Sequence, residues 1–374
     1  MSRVSKKTEE VFFSLLRAGL WEKDVTLSSF GVINFADVFT LAEEQSVVGI
    51  VAAGLEHVTD LKAPQEIALT FVGSAIQLEQ RNTAMNQFIE ELINDMRKAD
   101  IYALLVKGQG IAQCYERPLW RASGDVDLYL SDTNFSKAKA FFRPLVESFD
   151  PDIEYAQHIN MHYGEWVVEI HANQYCTLSS KINKVLDEIH QDLFYNGNVR
   201  SWKNGNTQVF LPSPNDDVLL VFTHFLNHFY KGGLGVRQIC DWCRLLWTYR
   251  NELDNQLLER RLKKMGLMSI WKAFAAYAVN LLGMPAESMP FYSSMAKWKR
   301  KADKIDSFIM EVGNFGHNRD TSYYMKYSRP RRKMISMWRR LCDLFRHSLI
   351  FPMETLLFIP GTLFYGIKAF IKGA

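Results

Sequence analysis

The sequence predicts an α+β chain in which a small mixed α/β core stands between two helical regions. Three observations carry this. Apolar residues recur at helical spacing through the first hundred residues and again from Pro214 onward. Between them, apolar runs of strand length alternate with short helical patterns and polar turns, which is the texture of one compact α/β unit. At 48% hydrophobic and 23% charged residues, a chain of 374 residues has ample core material, and large-scale disorder is excluded.

Val11–Trp21 and Phe35–His57 carry helical apolar patterns. Pro64 then stands near the start of a long pattern that runs to Lys98, with Ile67, Phe71, Ile76, Met85, Phe88, Ile89, Leu92, Ile93 and Met96 on its stripe. The texture changes at Asp100. Ile101–Val106 reads as a buried strand that delivers the turn Lys107-Gly108. A short helix from Ile111 to Glu116 follows, then a polar loop and a second strand from Val126 to Leu130. Phe135–Phe149 is helical up to the break expected at Pro144. Glu154–Tyr163 and Glu165–Ala172 form a strand pair turning at Gly164, and a helix from Ser179 to Leu193 and a strand around Thr207–Leu211 complete the unit. Asp216–Tyr230, Val236–Arg250 and Glu252–Leu282 are again helical. The expected divisions are residues 1–99, 100–212, 213–328 and a basic, apolar segment from 329 to 374.

The formal net charge of +3 is unevenly placed: Lys297–Arg346 holds fourteen Lys/Arg against five Asp/Glu. Such a block, interleaved with Trp298, Tyr327 and Trp338, suits an anionic membrane surface or nucleic acid. The apolar stretch Leu349–Ile367 follows, but Pro352, Glu354 and Pro360 interrupt it, so a helix lying in the interface is expected rather than a span. The competing picture packs Ile350, Phe351, Leu356, Leu357 and Phe358 against the helical domain. Five cysteines in a chain this long read as free thiols in a reducing cytoplasm, and Met1–Lys7 is followed by an amphipathic pattern rather than a signal-peptide core. The expected location is cytoplasmic, with peripheral attachment at the inner membrane surface through the C-terminal segment.

The chemistry centres on Gly124-Asp125-Val126-Asp127-Leu128. A strand sends alternate side chains to one face, so both carboxylates project together. Like charges that close repel, and a divalent cation resolves the conflict. Mg²⁺ takes oxygen ligands and combines few protein carboxylates with substrate phosphates. Glu169, set between apolar residues in Val167-Val168-Glu169-Ile170-His171, offers a third carboxylate for a two-metal site. On this reading, Asp127→Asn should abolish turnover, leave the fold intact and, by relieving the repulsion, raise metal-free stability.

The order apolar-Lys-Gly, then Gly-Asp-x-Asp-apolar, then apolar-Glu-apolar resembles the DNA polymerase β-like nucleotidyltransferase superfamily, and within it a family of uncharacterised bacterial nucleotidyltransferases. The residues concerned are Val106-Lys107-Gly108, Arg121, Asp125-Val126-Asp127-Leu128, Glu169-Ile170-His171 and Gly235-Val236-Arg237-Gln238-Ile239-Cys240-Asp241-Trp242. The resemblance implies a polymerase β-like fold and transfer of a nucleoside monophosphate from an NTP to an acceptor hydroxyl. It implies two Mg²⁺ on Asp125, Asp127 and Glu169, and phosphate contacts from Lys107, Gly108, Gly110, Arg121, Gly124 and Arg237. A sugar or a lipid-linked molecule is the implied acceptor class. Gln109 departs from the superfamily, which has a second small residue there. The alternative is therefore an inactive nucleotidyltransferase fold that binds a nucleotide or a protein.

Several of these residues also have plain readings. Lys107 could be a solvated strand end, and Arg121 could pair with Asp125. Arg237 and Asp241, four apart on a helix, suit an ion pair. His171 and His162 could orient a water or be satisfied structural histidines. His224 and His228, also four apart, read as core or cleft-wall residues, and Cys240 and Cys243 as buried thiols.

Overall fold

Local capping starts the helical half. Ser5 accepts from the Thr8 amide to open α1 (Lys6–Trp21), and Asn34 does the same for α2 (Phe35–Glu44). The stretch expected as one helix to His57 is two, because Ser46 adopts a left-handed φ of 57° before α3 (Val48–Glu56). α1 and α3 cross at glycines: a Cβ on Gly19 would stand 1.8 Å from the Ile50 carbonyl oxygen. The computed structural model describes residues 5–146, 158–319, 322 and 326–361.

α4 (Gln65–Lys98) begins just after Pro64, and its 34 residues make a rod of about 50 Å. It serves two cores. Phe71 and Ala75 join the large helical core, whereas Met85, Ile89, Leu92, Ile93 and Met96 lie under a sheet.

That sheet has the order β1-β2-β4-β3, from β1 (Ala103–Val106), β2 (Asp125–Leu130), β3 (His158–Tyr163) and β4 (Trp166–His171). β2 pairs antiparallel with β1 and parallel with β4, and β3 and β4 form a hairpin turning at Gly164 (φ 60°). Val126, Leu128, Val168, Ile170, Ile159 and Met161 share the face packed on α4 and α6 (Asp132–Phe142). The opposite face carries the polar residues. The helix expected to reach Phe149 ends at Phe142, just before Pro144. Residues 147–157, including the start of the strand expected from Glu154, lie outside the described residues.

Beyond α7 (Ser180–Phe194), a second hairpin joins β5 (Val199–Asn204) to β6 (Thr207–Pro212), with β6 against β1. β5 was not expected from the sequence. Its outward residues are Val199, Ser201 and Lys203, so no apolar run marks it. Ser213 caps α8 (Pro214–Lys231), with Pro214 in the first turn where no amide partner is needed. Then come α9 (Val236–Thr248), α10 (Asn255–Met265), α11 (Met268–Asn280), α12 (Ala296–Val312) and α13 (Arg329–Ser348), followed by a short helix at 352–361. Among the described residues, no helix is long and apolar enough to cross a membrane. Residues 362–374, the last part of the Leu349–Ile367 stretch included, lie outside the described residues.

One packing compromise has a pH signature. Asp306 on α12 lies in the helical core beside Tyr277, whose hydroxyl donates to it at 3.3 Å. Burial, with the charge of Glu9 adding to it, pushes its pKa up to about 7. A raised acid binds more protons folded than unfolded, so stability falls as pH rises from about 4 to 7. Asp306→Asn should therefore stabilise the fold by on the order of 1–3 kcal/mol at pH 8 and change little near pH 4. Urea unfolding at the two pH values checks this.

Candidate active site

Strand register builds the site. Asp127 on β2 lies directly opposite Glu169 on β4, and Tyr129 opposite His171. Asp125 is two residues back on the same face. Val106 pairs with Asp127 across the other edge, so Lys107, the next residue, emerges beside the acids. On the outer strand His158 faces His171, and their rings stack at 4.4 Å and 10°. Carboxylate oxygens of Asp125, Asp127 and Glu169 all lie within 4.8 Å of one another.

In the free protein these acids are held by one ammonium and two imidazoles. Lys107 Nζ donates to Asp127 Oδ1 at 2.7 Å. His171 Nε2 sits 3.0 Å from the same oxygen and 3.5 Å from Glu169 Oε2, and His158 Nε2 is 3.2 Å from Glu169 Oε2. Asp127 is 3% exposed. Burial pushes its carboxyl upward, yet Lys107 and His171 outweigh burial and hold it below the usual range. Glu169 is likewise held low against burial by hydrogen bonds from His158 and His171. The same contacts raise Lys107 and His171 despite their burial. Asp125 moves the other way: burial, then repulsion from Asp127 and Glu169, raises it.

These acids line a cavity of about 440 Å³. Lys107, Gly108, Arg121, Gly124, Asp125, Asp127, Glu169 and Arg237 all line it, and Gly110 does not. A Cβ on Gly110 would meet Leu211 Cδ2 at 2.8 Å, so this glycine lets the turn pack on β6. The turn is itself the start of α5 (Gly108–Ala112), which begins earlier than the sequence pattern suggested. Lys107 adopts φ 57° and Gly108 φ 37° there, a bend that swings the ammonium back over the acids. Gln109 is buried and points away from the cavity. Its Nε2 donates to Asn82 Oδ1 on α4 at 2.8 Å, and Asn82 in turn holds the carbonyls of Leu119 and Arg121.

Arg121 lines the cavity but does not pair with Asp125. Its Nε and Nη2 donate to Asp241 at 3.0 and 2.6 Å, and Nη1 donates to Ser123 at 2.7 Å. Tyr115 also donates to Asp241, at 2.8 Å. The Arg237–Asp241 pair expected along α9 is thus replaced by a buried pair across the fold. Arg237 instead donates to the Ala122 carbonyl at 2.7 Å and lines the cavity with its buried Nε unpartnered.

α8 forms the facing wall with His224, Asn227, His228 and Lys231, which share one side of the helix over two turns. The two histidines hydrogen-bond through Nε2 at 3.1 Å. Burial and the charge of Lys107 hold both well toward the neutral form, His228 at about 4. Burial lowers Lys231 to about 8. The sequence reading weighed the histidines as wall residues but passed over Lys231 and Asn227. The spacing i, i+3, i+4, i+7 was the available signal. It also singled out His162, which is exposed and does not line the cavity, rather than His158 four residues earlier. Cys240 and Cys243 are free, buried thiols whose pKa values burial raises.

Three hard carboxylate donors converging in a cavity, two of them now balanced by an ammonium and an imidazole, fit a divalent cation such as Mg²⁺. The two aspartates should respond differently to neutralisation. Asp127→Asn strips Lys107 and His171 of their partner and should lower metal-free stability by roughly 2–4 kcal/mol, because a buried charge is left uncompensated. This corrects the simple repulsion argument, which holds only for Asp125. Asp125→Asn removes the repelled member and should leave stability unchanged or raised. Thermal unfolding with a chelator present distinguishes the pair.

Comparison with known proteins agrees with this geometry. Searches of curated proteins and of solved structures each gave no match. The model of a family described as uncharacterised nucleotidyltransferases matches residues 32–283, a span that includes the whole four-stranded sheet and α8 and α9. The chain belongs to that nucleotidyltransferase family.

Proposed function

We propose that this protein transfers a nucleoside monophosphate from a nucleoside triphosphate to an acceptor hydroxyl. The acceptor oxygen bonds to the α-phosphorus, the α–β phosphoanhydride bond breaks, pyrophosphate leaves and the hydroxyl proton is taken up by a base. The observation that carries this is the facing of Asp127 and Glu169 across paired parallel strands, with Asp125 on the same face, at the floor of the cavity. Asp125 and Asp127 would hold two Mg²⁺ and Glu169 the one on the acceptor side; bound there, the ions supply charge stabilisation to the attacking and leaving oxygens.

The chain's own residues supply the rest. Arg237 lines the cavity and offers its guanidinium to phosphate oxygens. The Lys107-Gly108 bend presents an ammonium and a backbone with no side chain in the way. Arg121 acts at one remove, because its pair with Asp241 fixes the loop from which Asp125 starts. On the opposite wall, the neutral His224–His228 pair can accept a proton from an acceptor hydroxyl, and Lys231, about 10 Å along α8 from His224, can hold an anionic group on that acceptor. A sugar or a lipid-linked molecule with a hydroxyl and a phosphate fits these requirements. The alternative of an inactive binding protein drew on Gln109, and its tie to Asn82 takes that side chain out of the cavity.

Nucleotide binding should require Mg²⁺ and be reversed by chelation. Asp127→Asn should abolish pyrophosphate release in the presence of polyol and glycan acceptors. Arg237→Gln should weaken triphosphate binding by roughly tenfold. His228→Ala should keep nucleotide binding and lower transfer by about 10²-fold. Pyrophosphate release at the parent rate by Asp127→Asn with Mg²⁺ would contradict the reading.

A further inference from the structure

The C-terminal helix α13 has two faces of opposite character. The inner face is fully engaged. His347 is buried among the rings of Phe229, Tyr230 and Phe308, at 4.5–4.6 Å. Asp343 takes a hydrogen bond from Arg319 at 2.7 Å, and Leu344 is buried. Ile350 and Phe351 bury the elbow that follows, and Phe358 of the helix at 352–361 packs on Tyr230 at 5.2 Å. These three side chains are core, as the competing expectation had it.

The outer face is apolar and open. Met334, Met337, Trp338, Leu341, Phe345 and Leu349 recur at helical period, a single stripe about 22 Å long. Met353, Leu356 and Leu357 continue it on the next helix. Trp338 is 68% exposed and Phe345 66%. Monomeric proteins rarely display so continuous an apolar strip.

Charge frames the strip. α13 carries seven Lys/Arg and one acid, and its first turns hold Arg331, Arg332 and Lys333. At the far end, Lys304 of α12 donates to the Leu349 carbonyl at 3.1 Å and Lys301 lies 4.6 Å from the Phe351 ring.

We infer that this strip seats the protein on an anionic lipid bilayer, with the apolar side chains at the headgroup boundary and the basic rim against lipid phosphates. A polyanion such as RNA would use the basic rim but has no counterpart for nine aligned Met, Leu, Phe and Trp side chains. A second copy could cover the apolar strip, but it would bring a like-charged rim against this one. Only an anionic bilayer answers both features. His347 of α13 packs on Phe229 and Tyr230, the residues of α8 just before the cavity-lining Lys231, so the seated helix stands by the α8 side of the candidate active site. Delivery of a lipid-borne acceptor to that side rests on the transfer reading; the docking itself does not.

Co-sedimentation of the full chain with vesicles tests it. The protein should pellet with phosphatidylcholine vesicles containing phosphatidylglycerol, not with phosphatidylcholine alone, and high salt should release it. The double variant Trp338→Glu, Phe345→Glu changes only exposed side chains. It should lose vesicle binding by at least about tenfold while Mg²⁺-dependent nucleotide binding is unchanged. Because the two readouts are separate, failure of nucleotide binding in the parent counts against the transfer reading alone. Absence of vesicle binding overturns the inference. So does equal binding by parent and variant, a concentration-dependent dimer that the variant abolishes without any vesicle binding, or retention on single-stranded RNA alone.

Discussion

The parallel pairing of β2 with β4 is the constraint on which the rest of the molecule turns. It sets Asp127 against Glu169 with Asp125 alongside, and places three carboxylates at the floor of a cavity. Burying such a cluster is costly unless charge is returned to it. The fold returns that charge through Lys107 and His171, one from each neighbouring strand. The positive φ of Lys107 belongs to the same solution. A non-glycine residue in that region costs on the order of 1–3 kcal/mol, and the Lys107–Asp127 pair offsets it.

Surrounding elements hold that floor in place through buried polar ties rather than through apolar packing alone. Gln109 and Asn82 fix the α5 turn to α4 and to the Leu119–Arg121 loop. The Arg121–Asp241 pair, joined by Tyr115, fastens the same loop to α9. α8 is anchored at its start by the Ser213 cap and by Arg261, which donates to Asp216 at 2.7 Å. Its polar lining residues His224, Asn227, His228 and Lys231 are thereby presented at fixed spacing to the acids.

Much of this was legible in the sequence because it rests on local periodicity. The two-residue spacing of Asp125 and Asp127, the apolar frame of Glu169 and the Gly164 turn all follow from strand alternation. What escaped depends on pairing between distant segments. Nothing local to Asp241 says that its partner is Arg121, 120 positions earlier, rather than Arg237 on its own helix. His158 acquires meaning only through its register with His171. Gln109 looks like a defect in a phosphate-binding turn until its side chain is seen leaving the cavity for Asn82. β5 carries polar residues and pairs by backbone hydrogen bonds, so its pattern gave no warning.

The central claim is that the three carboxylates, and not the adjacent histidines, form the metal centre. His158, Glu169 and His171 also present ligand atoms within 4.8 Å of one another, so a rival site shares Glu169. Crystals grown with Mn²⁺ and a non-hydrolysable nucleoside triphosphate separate the two by anomalous scattering. The account predicts Mn²⁺ among Asp125, Asp127 and Glu169, with Lys107 drawn off Asp127 and phosphate oxygens near Arg237. Mn²⁺ held by His158, Glu169 and His171, with the Lys107–Asp127 pair intact, would contradict it.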